Sequence, residues 1–211
     1  MSNIITIDGP SGSGKGTMAS MIAKALGYQW LDSGAIYRLH AYEALQRSIP
    51  LDQESQLADL ARRLEYRTCG DEIRTELIGK AASQISAFPS VRQALLERQR
   101  QYAQEPGLVT DGRDMGSVVF PHAQVKFYLD ASVEERAKRR YQQLQARGID
   151  VTFATLLEEM AIRDRQDQTR SVSPLVVPEG AVVVCTDGCA IAAVFHQMMA
   201  TITDRLGKVN F

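Results

Sequence analysis

The run Gly9-Pro10-Ser11-Gly12-Ser13-Gly14-Lys15-Gly16-Thr17 limits what this chain can fold into more than any other stretch. It follows Ile4-Ile5-Thr6-Ile7-Asp8, whose β-branched, apolar content suits a buried strand. It precedes Met18 to Leu26, a stretch rich in Ala and Met that reads as a helix. Four residues separate Gly9 from Gly14, and a lysine follows at once, the G-x-x-x-x-G-K spacing. In that context the glycines let main-chain N–H groups turn inward, the helix start adds its positive dipole end, and Lys15 supplies a mobile cation. A polyphosphate is the ligand such a strand, loop and helix can hold. The hydroxyl that usually follows the lysine is displaced by one place, because Gly16 stands there and Thr17 comes next.

Four further apolar runs read as strands: Tyr28–Leu31, Leu108–Thr110, Val125–Leu129 and Ala181–Cys185. All five are near-continuously apolar rather than alternating, the pattern of strands covered on both faces. Four of the five are followed by or end in an acid, at Asp8, Asp32, Asp111 and Asp130. Open parallel sheets bind ligands beyond the carboxyl ends of their strands, so these acids are expected along one edge. Asp111 reads as an acid facing a nucleotide-bound magnesium ion, and Asp130 as a turn or helix cap.

Helical patterns fill the intervals. They cover Gly34 to Gln46 with Ser33 as N-cap, a stretch opened by the capping box Ser132-Val-Glu-Glu135, Phe153 to about Thr169, and Ala190 to Leu206 before Gly207. Strands alternating with helices predict an α/β fold with a mostly parallel five-stranded sheet, helices on both faces. Two segments break the rhythm. Residues 51–102 are almost wholly helical in pattern, with a bend at Pro89, and 140–174 form a second long interval. The expected layout is one domain with a core of 1–50, 103–139 and 175–211, a helical insertion at 51–102 and a lid at 140–174.

At 211 residues and a formal net charge of −1, nothing in the composition favours a polyanionic polymer, so no nucleic-acid partner is expected. No apolar run approaches bilayer length, and the chain starts directly on a strand, which predicts a cytoplasmic protein without a membrane partner. The cysteines, Cys69, Cys185 and Cys189, are expected as buried, reduced thiols. They and the three histidines lack the spacing of a zinc site.

Arginines cluster with acids in four places. Arg38 follows Asp32-Ser33 on the first turns of a helix, where it can fork onto a phosphate or simply face solvent. Asp111-Gly112-Arg113-Asp114 sets an arginine between acids on a glycine turn, an arrangement better suited to a site than to a scaffold: Arg113 on a phosphate, Asp114 accepting from an amine. Arg163, Asp167 and Arg170 share one helix face, with Arg136, Arg139 and Arg140 on the preceding helix. Such same-sign charges suit a hinged lid closing on polyphosphate, although Arg136 and Arg140 taken singly read as solvated, salt-bridged residues. Ser83 and Arg92, either side of Pro89, can line a pocket or merely pack.

The runs ITIDGPSGSGKGT, LDSGAIYR, AASQISAFPSVR, VTDGRDMGSVVFP, LDASVEERAKRR and RDRQDQTRSVSPL together resemble the bacterial-type cytidylate kinases, P-loop nucleoside monophosphate kinases, over nearly the whole chain. The Gly-Lys-Gly-Thr ending of the loop fits that group. The resemblance implies a P-loop NTPase fold, a monomer, and transfer of the ATP γ-phosphoryl to CMP or dCMP with Mg²⁺. It implies that Gly9, Pro10, Ser11, Gly12, Ser13, Gly14, Lys15, Gly16, Thr17 and Arg139 bind ATP. It implies that Ser33, Arg38, Ser83, Arg92, Arg113, Asp114, Asp167 and Arg170 bind CMP, and that Lys15, Arg113, Arg163 and Arg170 act in the transfer. The chain departs from the family between Arg67 and Glu72, where Thr-Cys-Gly-Asp replaces a longer stretch that forms a small antiparallel sheet in the acceptor-binding insertion. Two alternatives stay open: the same fold with UMP, AMP or a non-nucleotide alcohol as acceptor, and a nucleotide-binding module without turnover.

Overall fold

The computed structural model describes residues 2–65 and 70–207. The chain divides into two compact units, residues 1–30 with 104–211, and residues 31–103.

The first unit is built on strands β1 (Asn3–Asp8), β2 (Gln29–Asp32, whose first two residues belong here), β3 (Gly107–Gly112), β4 (Val125–Asp130) and β5 (Val182–Cys185). They form one sheet in the order β2-β3-β1-β4-β5, all parallel. Strands consecutive in the chain, β3 and β4, lie on opposite sides of β1, which leaves a crevice beyond its carboxyl end. Helices α1 (Lys15–Leu26) and α8 (Ile191–Leu206) complete a core in which Ile5, Ile7, Val109, Phe127 and Leu129 of the sheet meet Met18, Ile22, Met198 and Ile202. Helices α6 (Val133–Gln145) and α7 (Phe153–Thr169) pack on each other within the same unit.

The expectation that all five strands are covered on both faces holds for β1, β3 and most of β4. It fails at the sheet edges. Gln29 and Trp30 of β2 are exposed, as are Val183 and Cys185 of β5, because an edge strand has only one neighbour to shield it. The same geometry overturns the expectation of buried thiols: Cys185 and Cys189 are both exposed, while Cys69 lies outside the described residues.

The second unit is helical: α2 (Ser33–Gln46), α3 (Glu54–Arg63), a short 3₁₀ turn (Asp71–Arg74), α4 (Glu76–Ile85) and α5 (Pro89–Arg100). Pro89 takes the first position of α5, where its missing N–H is not needed, and so produces the predicted bend. Leu39, Leu57, Ile85, Val91 and Leu95 are fully buried in this unit. The N-cap of α2 is Asp32 and not Ser33: the Asp32 carboxylate accepts from Ala35 N–H at 3.0 Å, and Ser33 begins the helix. Aspartate and serine are equally good caps, so their order in sequence does not decide between them. Of the shortened stretch after Arg67, Thr68 and Cys69 lie outside the described residues, while Gly70 and Asp71 lead into the 3₁₀ turn.

Candidate active site

The glycine loop runs from the end of β1 to the start of α1, which opens at Lys15, three residues earlier than the sequence pattern suggested. Gly9 and Gly14 carry φ of 153° and 92°, backbone that L side chains rarely adopt. At Gly9 the space is closed as well, since a Cβ would stand 2.1 Å from the Leu129 carbonyl oxygen of β4. The loop therefore lies directly against the neighbouring strand. The Ser13 hydroxyl is buried and meets no hydrogen-bond partner among the described residues, and with the start of α1 it forms a cradle of donors suited to phosphate.

Lys15 is buried and donates from Nζ to the Pro10 carbonyl at 2.9 Å. Burial, and then the charge of Arg113, push its ammonium down to about 7 from an ordinary 10.5, against the opposing pull of Asp111 and Asp167. A phosphate on the loop adds the negative charge that restores the cation.

Three segments surround this lysine in the first unit. The first is the turn after β3. Asp111 is buried, accepts from the Trp30 indole N–H at 3.0 Å through Oδ1, and turns Oδ2 toward the loop, 3.6 Å from where a Cβ on Gly16 would sit. Arg113 donates from Nε to Asp167 Oδ2 at 2.7 Å. Asp114, 4% exposed, opens a one-turn π-helix, Met115–Val119. The second segment is the end of α7, where Arg170 caps the helix with its guanidinium 3.9 Å from Asp167 Oδ1. Burial raises the Asp167 carboxyl, but Arg113, by charge and hydrogen bond, with Arg163 and Arg170, outweighs it and lowers the group below the usual carboxylate range. Arg113, Arg163 and Arg170 thus gather on Asp167, and the charges of Arg113, Arg163 and Asp167 reach Lys15.

The third segment frames the loop's other side. Arg139 donates to Thr186 Oγ1 at 3.1 Å and to the Thr186 carbonyl at 2.6 Å, and Thr186 Oγ1 in turn donates to the Ser13 carbonyl. Arg136 is not a solvated residue. It is 4% exposed, pairs with both Asp164 oxygens at 3.1 and 2.5 Å, and donates to the Ser11 carbonyl at 3.0 Å. The Ser132 capping box closes on one side only: Ser132 Oγ accepts from Glu135 N–H, while Ser132 N–H donates to Asp187 and Glu135 turns to Arg139. Asp130 caps no helix and accepts from Ala131 N–H.

Asp8 carries a role that the sequence showed only as a strand-end acid. Its carboxylate is fully buried and accepts from Met115 N–H at 2.8 Å and Gly116 N–H at 2.7 Å. It thereby ties the Arg113–Asp114 turn to the strand that launches the glycine loop. Burial lifts this carboxyl to about 7, against the lowering effect of those two hydrogen bonds. Between about pH 4 and 7 the folded protein holds a proton at Asp8 that the unfolded chain has released, so stability falls as pH rises through that window. Urea unfolding at pH 4.5 and pH 7 is expected to show this loss in the parent chain and a smaller one in Asp8→Asn. Equal pH dependence in the two would contradict it.

The remaining candidates lie in the second unit. Arg38 donates to the Ile73 carbonyl at 3.3 Å. Arg92 is buried, stands 5.5 Å above the Tyr37 ring and donates to the Ser86 carbonyl at 3.0 Å. Ser33 is buried at the start of α2 and Ser83 half-buried near the end of α4. Within this unit each is placed by its own helix.

No group of three or more His, Cys, Asp or Glu suited to a metal occurs among the described residues. The buried carboxylate of Asp111, with Oδ2 turned toward the loop, fits magnesium, which is held by one or two carboxylates together with substrate phosphates and water. No described helix is long and apolar enough to cross a membrane.

Comparison with solved structures supports the fold. A gluconokinase from Sinorhizobium meliloti superposes with a TM-score of 0.52 at 16% identity, over 96% of this chain and 92% of that one. Shikimate kinase from Bacteroides thetaiotaomicron gives 0.51 at 12% identity, over 98% and 99%. At the sequence level the chain is 49% identical to a cytidylate kinase of Aeromonas salmonicida, covering 100% of this chain and 98% of that protein. It is 46% identical to a cytidylate kinase of Pasteurella multocida, covering 98% of each. The Aeromonas alignment spans 225 positions against 211 residues here, so that relative carries residues with no counterpart in this chain. The family model for cytidylate kinase matches residues 5–204. A chain with this loop, this sheet order and full-length similarity of that degree belongs to the cytidylate kinase family.

Proposed function

We propose that this kinase transfers the γ-phosphoryl group of ATP to CMP or dCMP, giving ADP and CDP or dCDP. The observation that carries the reading is the cluster around Lys15: a phosphate-binding loop whose lysine shares its surroundings with Arg113, Arg163 and Asp167, the last of these paired with Arg170. Phosphoryl transfer asks little covalent chemistry of the protein. It asks for two oxygens in line and for cations where charge spreads over the equatorial oxygens.

In this reading Gly9 to Thr17 wrap the ATP phosphates and Arg139 borders its base. Lys15 leaves the Pro10 carbonyl to follow the moving phosphoryl. Arg113, Arg163 and Arg170 neutralise the transferring group, and Arg113 and Arg170, with Ser33 and Arg38, hold the acceptor phosphate. Asp167 meets the acceptor ribose, releasing part of its hold on Arg113 as it does so. Asp111 is the carboxylate that would face Mg²⁺ bound with ATP, an ion that would supply positive charge against the phosphates.

Asp114, Arg92 and Ser83 read the acceptor base. Asp114 accepts from the exocyclic amine of cytosine, while uracil would set a carbonyl against it and leave a buried acceptor unsatisfied, at a cost of about 1–3 kcal/mol. A steady-state panel of CMP, dCMP, UMP and AMP tests this. CMP or dCMP is expected to lead, and Asp114→Ala to lower kcat/KM for CMP about 10- to 100-fold while narrowing its advantage over UMP. Faster turnover of UMP or AMP by the parent chain would overturn the assignment. Binding of ATP and CMP without any CDP would leave a nucleotide-binding module.

A further inference from the structure

We infer that Trp30 is a positioning residue for Asp111: its indole N–H holds the carboxylate in the orientation that meets the nucleotide-bound divalent cation, and its emission reports the arrival of that cation. The inference rests on the reading of Asp111 as the acid that faces Mg²⁺.

Asp111 ends β3 with its side chain buried, 5% exposed. Such a carboxylate has several rotamers open to it, and only those that aim an oxygen at the glycine loop serve a phosphate-bound metal. The Trp30 indole N–H, on the adjacent edge strand β2, takes Oδ1 at 3.0 Å. Oδ2 is left facing Gly16, where an added Cβ would lie 3.6 Å away. An indole nitrogen only donates, so the Asp111 oxygen it holds is fixed as an acceptor. The bond joins residues 81 positions apart, and Trp30 is 41% exposed. A large aromatic left that open at a sheet edge has little packing reason to be tryptophan, whereas its N–H has a defined partner. Holding a metal-facing carboxylate by a hydrogen bond from behind is a general means of fixing ligand direction.

Trp30 is the single tryptophan of the chain, so its fluorescence has one source. Trp30→Phe keeps an aromatic ring and removes the donor. Binding of Mn²⁺ in the presence of a non-hydrolysable ATP analogue, followed by the electron paramagnetic resonance of free Mn²⁺, is expected to weaken about 3- to 10-fold in that variant, the worth of one such hydrogen bond. Analogue affinity measured in EDTA is expected to stay unchanged, because no phosphate contact is touched. In the parent chain, Trp30 emission is expected to shift when Mg²⁺ is added to the analogue complex but not when the analogue is added in EDTA. Asp111→Asn is expected to abolish that shift.

Mn²⁺ affinity of Trp30→Phe equal to the parent's would overturn the inference. So would an emission unmoved by metal in the parent chain, a measurement that stands even if the variant does not fold. A parent chain that forms CDP while both tests fail loses Trp30 its role and keeps the kinase reading. A parent chain that forms no CDP while both tests succeed loses the kinase reading and keeps Trp30.

Discussion

Lys15→Ala is expected to lower CDP formation about a thousandfold, the size of effect seen when one preorganised donor to a developing charge is removed. The side chain is buried, held at 2.9 Å from the Pro10 carbonyl, and depressed to about 7 by burial and Arg113. It is therefore a cation kept short of partners that a transferring phosphoryl can supply. The loss should fall on kcat. CMP affinity, measured calorimetrically, should change less than threefold, because Lys15 belongs to the ATP loop. A loss of CMP binding as large as the loss of turnover would show that Lys15 serves the acceptor and not the transfer.

Arg113→Met is expected to lower kcat/KM for CMP about 100- to 1000-fold, since the guanidinium is assigned both to the acceptor phosphate and to charge neutralisation. It should also leave Asp167 with less of the positive charge that lowers it. The carboxyl then rises toward its ordinary range, because burial works in that direction and only Arg163 and Arg170 remain to oppose it. In the parent chain a group lowered in this way contributes stability that is present above the unfolded carboxylate value and lost as pH falls through the folded one. The variant should therefore be less stable than the parent at pH 7, by about 1–3 kcal/mol given the slight exposure of both side chains. The difference should shrink below pH 4. A constant difference from pH 3 to 7, or unchanged kinetics, would remove Arg113 from both roles.

The parts of this site that were legible in the sequence are those carried by local pattern. The glycine loop, its strand and its helix form one contiguous stretch, and the strand-end acids follow from the fold class alone. The helical insertion announced itself by periodicity, and Pro89 by its position. The parts that were not legible depend on what stands opposite. Arg136 looked solvated because its partner, Asp164, lies 28 residues away on another helix. Cys185 looked buried because its neighbours Val182, Val183 and Val184 are apolar, yet β5 is an edge. Asp8 showed as one acid among four, and only the fold set its carboxylate on the backbone of Met115 and Gly116. Trp30 gave no signal at all, since its partner is set by the adjacency of β2 and β3. Ser33 was misplaced as a cap by one residue for a chemical reason, as Asp32 can cap equally well.

Burial and Arg113 push the Lys15 ammonium down to about 7 while Arg113 keeps Asp167 ionised, so the full positive charge of Lys15 is restored only when a phosphate on the loop adds its negative charge. On the proposed reading Arg113 and Arg170, both held by Asp167, act on the transferring group once it is in line.

The most direct test follows the phosphorus itself. With ATP labelled at the γ-position and CMP as acceptor, label is expected to appear in CDP one for one with ADP formed, with little released as inorganic phosphate. Label found chiefly in inorganic phosphate, or ADP formed at the same rate without CMP, would contradict it.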